Sequence, residues 1–148
     1  MNNRTPQRSI RMCGIRCGDI EEWTEALPFP KEVRFHVIPA PAGVDLLLTG
    51  EEAAGLDEAT ATVKRRWGAF CYSFLGETLE EVVGGLLLKE KKRIAIAESC
   101  TGGRISARMT RVPGSSRYFE SACVTYSNRS KERLLSVPAS LLREKGAV

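Results

Sequence analysis

The chain has 148 residues, 43% hydrophobic, 27% charged and 7% aromatic. This length suits one or two small domains, and no run of about 18 apolar residues offers a helical membrane span. The formal charge of +4 is unevenly divided: residues 1–88 carry 9 Lys/Arg against 13 Asp/Glu, a net of −4, whereas residues 89–148 carry 13 against 5, a net of +8. A basic half of this kind suits an anionic ligand, a nucleotide phosphate or a nucleic acid.

Residues 1–7 read as a disordered start without the pattern of a signal peptide. Ser9 to Ile15 has the character of a strand. Ile20 to Leu27 reads as a short helix ended by Pro28 and Pro30. Val33, Phe35 and Val37 alternate with Arg34 and His36, as in a half-buried strand. Pro39 to Gly43 is a turn and Val44 to Leu48 a second strand. Glu51 to Trp67 reads as a helix weakened at Gly55, and Ala69 to Phe74 as a further strand. Strands and helices mixed over so short a stretch make a small α+β layer.

Thr78 opens a new unit. Thr78-x-x-Glu81 fits a capping box, and Leu79, Val82, Val83, Leu86 and Leu87 form one apolar face. Gly84 and Gly85 each cost about 1 kcal/mol against alanine inside a helix, which predicts close packing against another element. Ile94 to Ala97 reads as a buried strand. Glu98-Ser99-Cys100-Thr101-Gly102-Gly103 follows as a polar turn, and Ile105, Met109 and Val112 then keep helical spacing. Arg104, Arg108 and Arg111 lie on the opposite face. Pro113 to Ser116 breaks this helix, Ala122 to Tyr126 reads as a strand, and Asn128 caps a short helix carrying Lys131, Leu134 and Leu135. Pro138 to Lys145 forms a last short helix, ended by Gly146.

The strand–turn–helix around Ser99 exposes side chains at the carboxyl end of a strand and aims backbone N–H groups at the same place. Ser99 or Thr101 is a candidate nucleophile, and Gly102 and Gly103 let a ligand approach the backbone. A glycine turn with a capping hydroxyl fits the same residues. Residues 94–148 hold no histidine, so a Ser-His-Asp triad cannot be built there, whereas a Ser–Lys pair can. Lys131, at the start of a helix and near Arg129, sits where the ammonium form is disfavoured, as a general base requires. Cys13, Cys17, Cys71, Cys100 and Cys123 are scattered, which suits reduced cytoplasmic thiols. Cys13 and Cys17, with only His36 to join them, fall short of the four clustered ligands of a typical metal site.

Glu98-Ser99-Cys100-Thr101-Gly102-Gly103, Val112-Pro113-Gly114-Ser115-Ser116, Val124-Thr125-Tyr126-Ser127-Asn128 with Lys131, and Gly146-Ala147-Val148 together resemble the start of the C-terminal domain of the competence/damage-inducible CinA family. That domain is the nicotinamide-nucleotide amidase, or nicotinamide mononucleotide deamidase. The resemblance implies a KH-like α+β linking domain over residues 8–76, without the Gly-x-x-Gly loop of nucleic-acid-binding KH domains. It implies the first part of a three-layer α/β/α amidase domain over 77–148. It makes Ser99 the nucleophile, Lys131 the base and Tyr126 an assisting residue; Cys100 is an alternative nucleophile that the resemblance disfavours. Thr101, Gly102, Gly103, Gly114, Ser115, Ser116 and Asn128 become substrate-binding, the Gly114–Ser116 segment taking the phosphate.

No cofactor or metal is implied. The expected partners are nicotinamide mononucleotide and either a homo-oligomer or a missing C-terminal half. Family members continue into further strands and a Gly-Ile-Ala-Gly-Pro-type loop that helps form the oxyanion and nicotinamide site, so the chain is expected to be a fragment and a poor amidase alone. A non-catalytic nucleotide- or nucleic-acid-binding module is the other reading. Tyr118, Phe119 and Tyr126 are the only aromatics of the basic half, which gives nucleic acid little stacking platform.

Overall fold

The computed structural model describes residues 6–24 and 29–146, and the chain divides into two units, Met1–Val82 and Val83–Val148. In the first unit the alternation of Val44, Leu46 and Leu48 sets the fold. All three are fully buried on one face of a strand, β3 (Gly43–Thr49). With β1 (Gln7–Cys13), β2 (Arg34–Ala40) and β4 (Cys71–Ser73), β3 forms an antiparallel sheet of order β2-β3-β1-β4. Two helices, α1 (Cys17–Thr24) and α2 (Ala53–Trp67), contribute Ile20 and then Leu56, Ala59, Val63 and Trp67 to the same core as Ile10 and Met12 of β1.

Several sequence expectations shift here. Gln7 belongs to β1, because it pairs with Thr49, so the expected disordered start ends before it; residues 1–5 lie outside the described residues. The first helix begins at Cys17, earlier than Ile20, and the rest of its expected span, residues 25–28, also lies outside them. Pro39 and Ala40 extend β2 instead of opening the turn. Proline is tolerated there because β2 is an edge strand. Gly43 then has φ +147°, and a Cβ on it would lie 2.4 Å from the Met12 carbonyl oxygen, so only glycine fits. The strand expected over 69–74 contracts to Cys71–Ser73. His36 lies exposed in β2.

At the end of this unit the capping box forms as the sequence requires. The Thr78 N–H donates to Glu81 Oε2 at 2.7 Å and the Glu81 N–H to Thr78 Oγ1 at 3.3 Å, starting α3 (Leu79–Lys89).

The second unit is built on a parallel pair, β5 (Ile94–Glu98) and β6 (Phe119–Val124), linked through α4 (Arg104–Thr110) and a 3-10 turn at Ser115–Arg117. α5 (Asn128–Leu135) and α6 (Ala139–Lys145) follow. β6 starts three residues before the expected Ala122 and ends before Tyr126. Its first half, Phe119-Glu120-Ser121, is too polar to stand out as an apolar run, and Glu120 pairs with Arg93. Neither is β5 buried throughout: Ile94 and Ile96 are half-buried while Ala95 and Ala97 are exposed. Among the described residues this sheet has only two strands, and the Ala95 and Ala97 side of β5 is exposed.

Gly84 packs as its sequence position predicts, and Gly85 does not. A Cβ on Gly84 would stand 2.8 Å from the hydroxyl oxygen of Tyr118, which is buried and donates to the Met109 carbonyl at 3.1 Å. Gly85 is exposed, with nothing within 4 Å of its would-be Cβ. Gly85→Ala should therefore stabilise the unit by about 0.5–1 kcal/mol through helix propensity. Gly84→Ala should destabilise it by about 1–3 kcal/mol through overpacking against Tyr118. Urea unfolding of the two variants checks the opposite signs.

Candidate functional site

Ser99 and Lys131 are brought together by the parallel pairing of β5 and β6. Their carboxyl ends lie side by side, with Glu98 opposite Val124 and the Thr125 N–H donating to the Glu98 carbonyl at 2.8 Å. Ser99 follows β5 directly. After β6 the chain turns into α5, whose N-cap is Ser127 and not the expected Asn128. Ser127 has the extended backbone that a cap requires, and its hydroxyl oxygen accepts the Ser130 N–H at 3.1 Å. Asn128 is the first helical residue and is exposed.

Lys131, three residues further on, turns inward. It is the buried residue of α5, and its Nζ donates to Ser99 Oγ at 3.2 Å and to the Tyr126 backbone carbonyl at 3.0 Å. Tyr126 thus meets the pair through its main chain, while its side chain is 73% exposed. Cys100 is exposed, and the lysine contact falls on its neighbour Ser99.

Ser99 to Gly103 form the turn between β5 and α4. The Gly102 N–H closes on the Ser99 carbonyl at 3.0 Å and the Arg104 N–H on the Thr101 carbonyl at 3.1 Å. Gly102 and Gly103 have φ +60° and +94°, in the left-handed region that favours glycine.

The residue that holds this turn is Glu98, to which the sequence reading gave no role. It is buried at 3% exposure. Its carboxylate accepts the N–H groups of Gly103, Ile105 and Ser106 at 3.0, 3.1 and 2.8 Å, together with the Ser106 hydroxyl. Burial alone would push this carboxyl up. The Ser106 hydroxyl and N–H, the Thr101 side chain and the Ile105 N–H outweigh that and hold it at about 2, against an ordinary 4.5. The available signal was a glutamate at the end of an apolar strand, placed to reach the next helix start.

Gly114, Ser115 and Ser116 do not join this cluster within the chain. They precede β6, at the amino end of the sheet, because the helical crossover carries the chain back before β6 begins. The four-residue step from Ile94 to Glu98 spans about 13 Å of strand. Ser115 is engaged locally, its hydroxyl donating to the Thr110 carbonyl at 3.2 Å. An open groove lies instead on the flank of α5, lined by Ser127, Arg129, Ser130, Arg133 and Leu134. No cluster of three or more metal-ligating side chains occurs among the described residues, and none of their helices is long and apolar enough to cross a membrane.

The second unit is therefore an α/β unit carrying a serine–lysine pair at the ends of two parallel strands. Residues 76–148 match the family of the CinA C-terminal domain. The chain is 40% identical over 139 residues to a CinA-like protein of Geobacter metallireducens, covering 91% of this chain and 33% of that protein. It is 37% identical over 155 residues to a CinA-like protein of Geobacter sp. strain M21, covering 100% and 37%. Among solved structures, the competence/damage inducible protein of Agrobacterium tumefaciens shares 34% identity with a TM-score of 0.46, covering 47% of this chain and 42% of that one. The chain belongs to the CinA family and spans about a third of the length of these curated relatives.

Because Glu98 has its carboxyl depressed, it stabilises the fold fully above about pH 4.5 and loses that contribution as the pH falls toward about 2. Glu98→Gln keeps the volume but sets an amide donor against three N–H groups. It should lower stability at neutral pH and flatten the pH dependence between 4.5 and 2, as read from urea unfolding followed by circular dichroism at a series of pH values.

Proposed function

We propose that the second unit carries the serine–lysine centre of a nicotinamide-nucleotide amidase. That activity hydrolyses nicotinamide mononucleotide to nicotinic acid mononucleotide and ammonia. The observation that carries this reading is the 3.2 Å contact between Lys131 Nζ and Ser99 Oγ. It lies within the range in which a positioned base takes a proton from a nucleophile.

In the reaction the direction of that hydrogen bond reverses. The Ser99 hydroxyl donates to the neutral amine, and Oγ bonds to the amide carbon while Lys131 takes the proton. Lys131 then returns the proton to the leaving nitrogen as the C–N bond breaks, releasing ammonia. Water, deprotonated by the same amine, cleaves the acyl-Ser99 ester and frees the carboxylate. The Tyr126 carbonyl fixes the direction of the lysine side chain throughout.

Thr101, Gly102 and Gly103 form the floor beside Ser99. With Gly114–Ser116 at the other end of the strands, we assign the substrate phosphate to the groove of Arg129 and Arg133, whose guanidinium groups suit bidentate phosphate contacts. The scattered cysteines suit a reducing, cytoplasmic setting.

Ammonia release from nicotinamide mononucleotide tests the reading. Ser99→Ala should reduce it to background, and Lys131→Met should lower kcat by about 10²–10⁴, the span of general-base contributions. Ammonia release unchanged in Ser99→Ala would overturn it.

A further inference from the structure

Lys91 holds a position that local structure would give to glycine. α3 closes with the Lys92 N–H donating to the Leu87 carbonyl at 2.8 Å and the Lys91 N–H to the Leu88 carbonyl at 3.1 Å. That closure puts Lys91 in the left-handed region, at φ +53°, where glycine is the usual residue. A lysine there gives up stability that glycine would keep. The negative end of the helix does not require it either, because Lys89 already stands in the last turn. A backbone outlier kept against local preference points to a role outside the fold.

The surroundings of Lys91 supply that role. It lies just before β5, at the amino end of the parallel pair, where Ile94 stands opposite Phe119. The segment before β5 and the 3-10 turn before β6 meet there. The Arg93 guanidinium donates to the Phe119 carbonyl at 3.4 Å, and the Ile94 N–H to the Tyr118 carbonyl at 2.8 Å. Lys89, Lys91, Lys92, Arg93 and Arg117 are thereby gathered at one end of the unit, and all five are exposed. Two carboxylates, Glu90 and Glu120, share this end, and Glu120 is paired with Arg93. The other four cations form no ion pair among the described residues. The Ser99 centre lies at the other end of the same strands.

We propose that the amino end of β5 and β6 is a docking surface for the phosphate backbone of double-stranded nucleic acid. The proposal is independent of the serine–lysine reading. Exposed Lys and Arg without carboxylate partners neutralise phosphates and release their counterions, whatever the base sequence. Single strands are ordinarily held by stacking bases on exposed aromatic rings. Here Tyr118 is buried and Phe119 half-buried, so a duplex is the better fit. A lipid surface is ordinarily bound by apolar side chains that insert beside the cations, and Ile94, Tyr118 and Phe119 at the strand starts are all withdrawn from the surface. Four unpaired cations at about −0.9 each predict a salt slope of about −3.6 and, from counterion release alone, a Kd of roughly 10⁻⁵ M at 50 mM salt.

The test titrates the full chain into a fluorescently labelled duplex of mixed sequence and follows anisotropy from 50 to 200 mM NaCl. Lys91→Gly separates the two roles of that position. It should raise the urea midpoint by relieving the left-handed lysine, yet weaken binding about tenfold at 50 mM salt and reduce the slope by about 0.9. Arg117→Gln should weaken binding to the same extent and leave the urea midpoint unchanged. No rise in anisotropy at 50 mM NaCl overturns the proposal. Binding that both variants leave intact overturns it too, since the duplex then sits elsewhere on the chain. A lower urea midpoint for Lys91→Gly removes the strain on which the assignment of Lys91 stands. Vesicles of phosphatidylcholine and phosphatidylserine form a parallel arm. Tighter binding to them than to the duplex, weakened by the same two substitutions, overturns nucleic acid in favour of a membrane surface.

Discussion

The arrangement of the second unit depends on one carboxylate. Glu98 sits where β5 ends, and its two oxygens gather three backbone N–H groups and a hydroxyl from the following eight residues. A buried, ionised carboxylate is costly unless its lone pairs are engaged, and here the start of α4 engages them. The same bonds fix the path of the chain between strand and helix, and hence the direction of Ser99. Lys131 is fixed independently, by the cap at Ser127 and the carbonyl of Tyr126. The two side chains meet because β5 and β6 pair in parallel.

The two units bury their apolar residues very differently. The first gathers eleven buried hydrophobic side chains in one cluster between a four-stranded sheet and two helices. In the second, Met109, Tyr118 and Leu142 are buried, while Leu86, Ile105, Val124, Leu134, Leu135 and Leu141 are exposed. Parallel strands are ordinarily covered on both faces. Polar satisfaction around Glu98 and the close fit of Gly84 on Tyr118 therefore carry much of the order that apolar burial supplies in the first unit.

The sequence made the framework legible wherever a period or a motif was strong. β2 follows from the alternation of Val33, Phe35 and Val37 with Arg34 and His36, α2 from its length, and α3 from Thr78-x-x-Glu81. Ile94–Ala97 and the segment containing Ala122, each legible as a strand, pair in parallel. Boundaries slipped where polar residues occupy strand positions, as at Phe119-Glu120-Ser121, or where an edge strand tolerates proline, as at Pro39. Of the expected site residues, Ser99, Lys131 and the main chain of Tyr126 converge, and Thr101–Gly103 adjoin them. Gly114–Ser116 lie at the far end because motif order along a chain does not say which end of a strand a segment occupies. Glu98 was part of the quoted motif, yet its role was invisible, since an acceptor's partners are backbone groups common to every sequence.

The wiring of the centre also sets an order of assembly. Glu98 and its partners lie within eight residues of one another, so closing that loop costs little chain entropy and can happen early in folding. The lysine is 32 residues away from Ser99 and reaches it only after a crossover helix has formed and two parallel strands have aligned, a slow, non-local event. The turn at Ser99 is thus held by short-range contacts, whereas the contact between Ser99 and Lys131 waits on the pairing of β5 with β6.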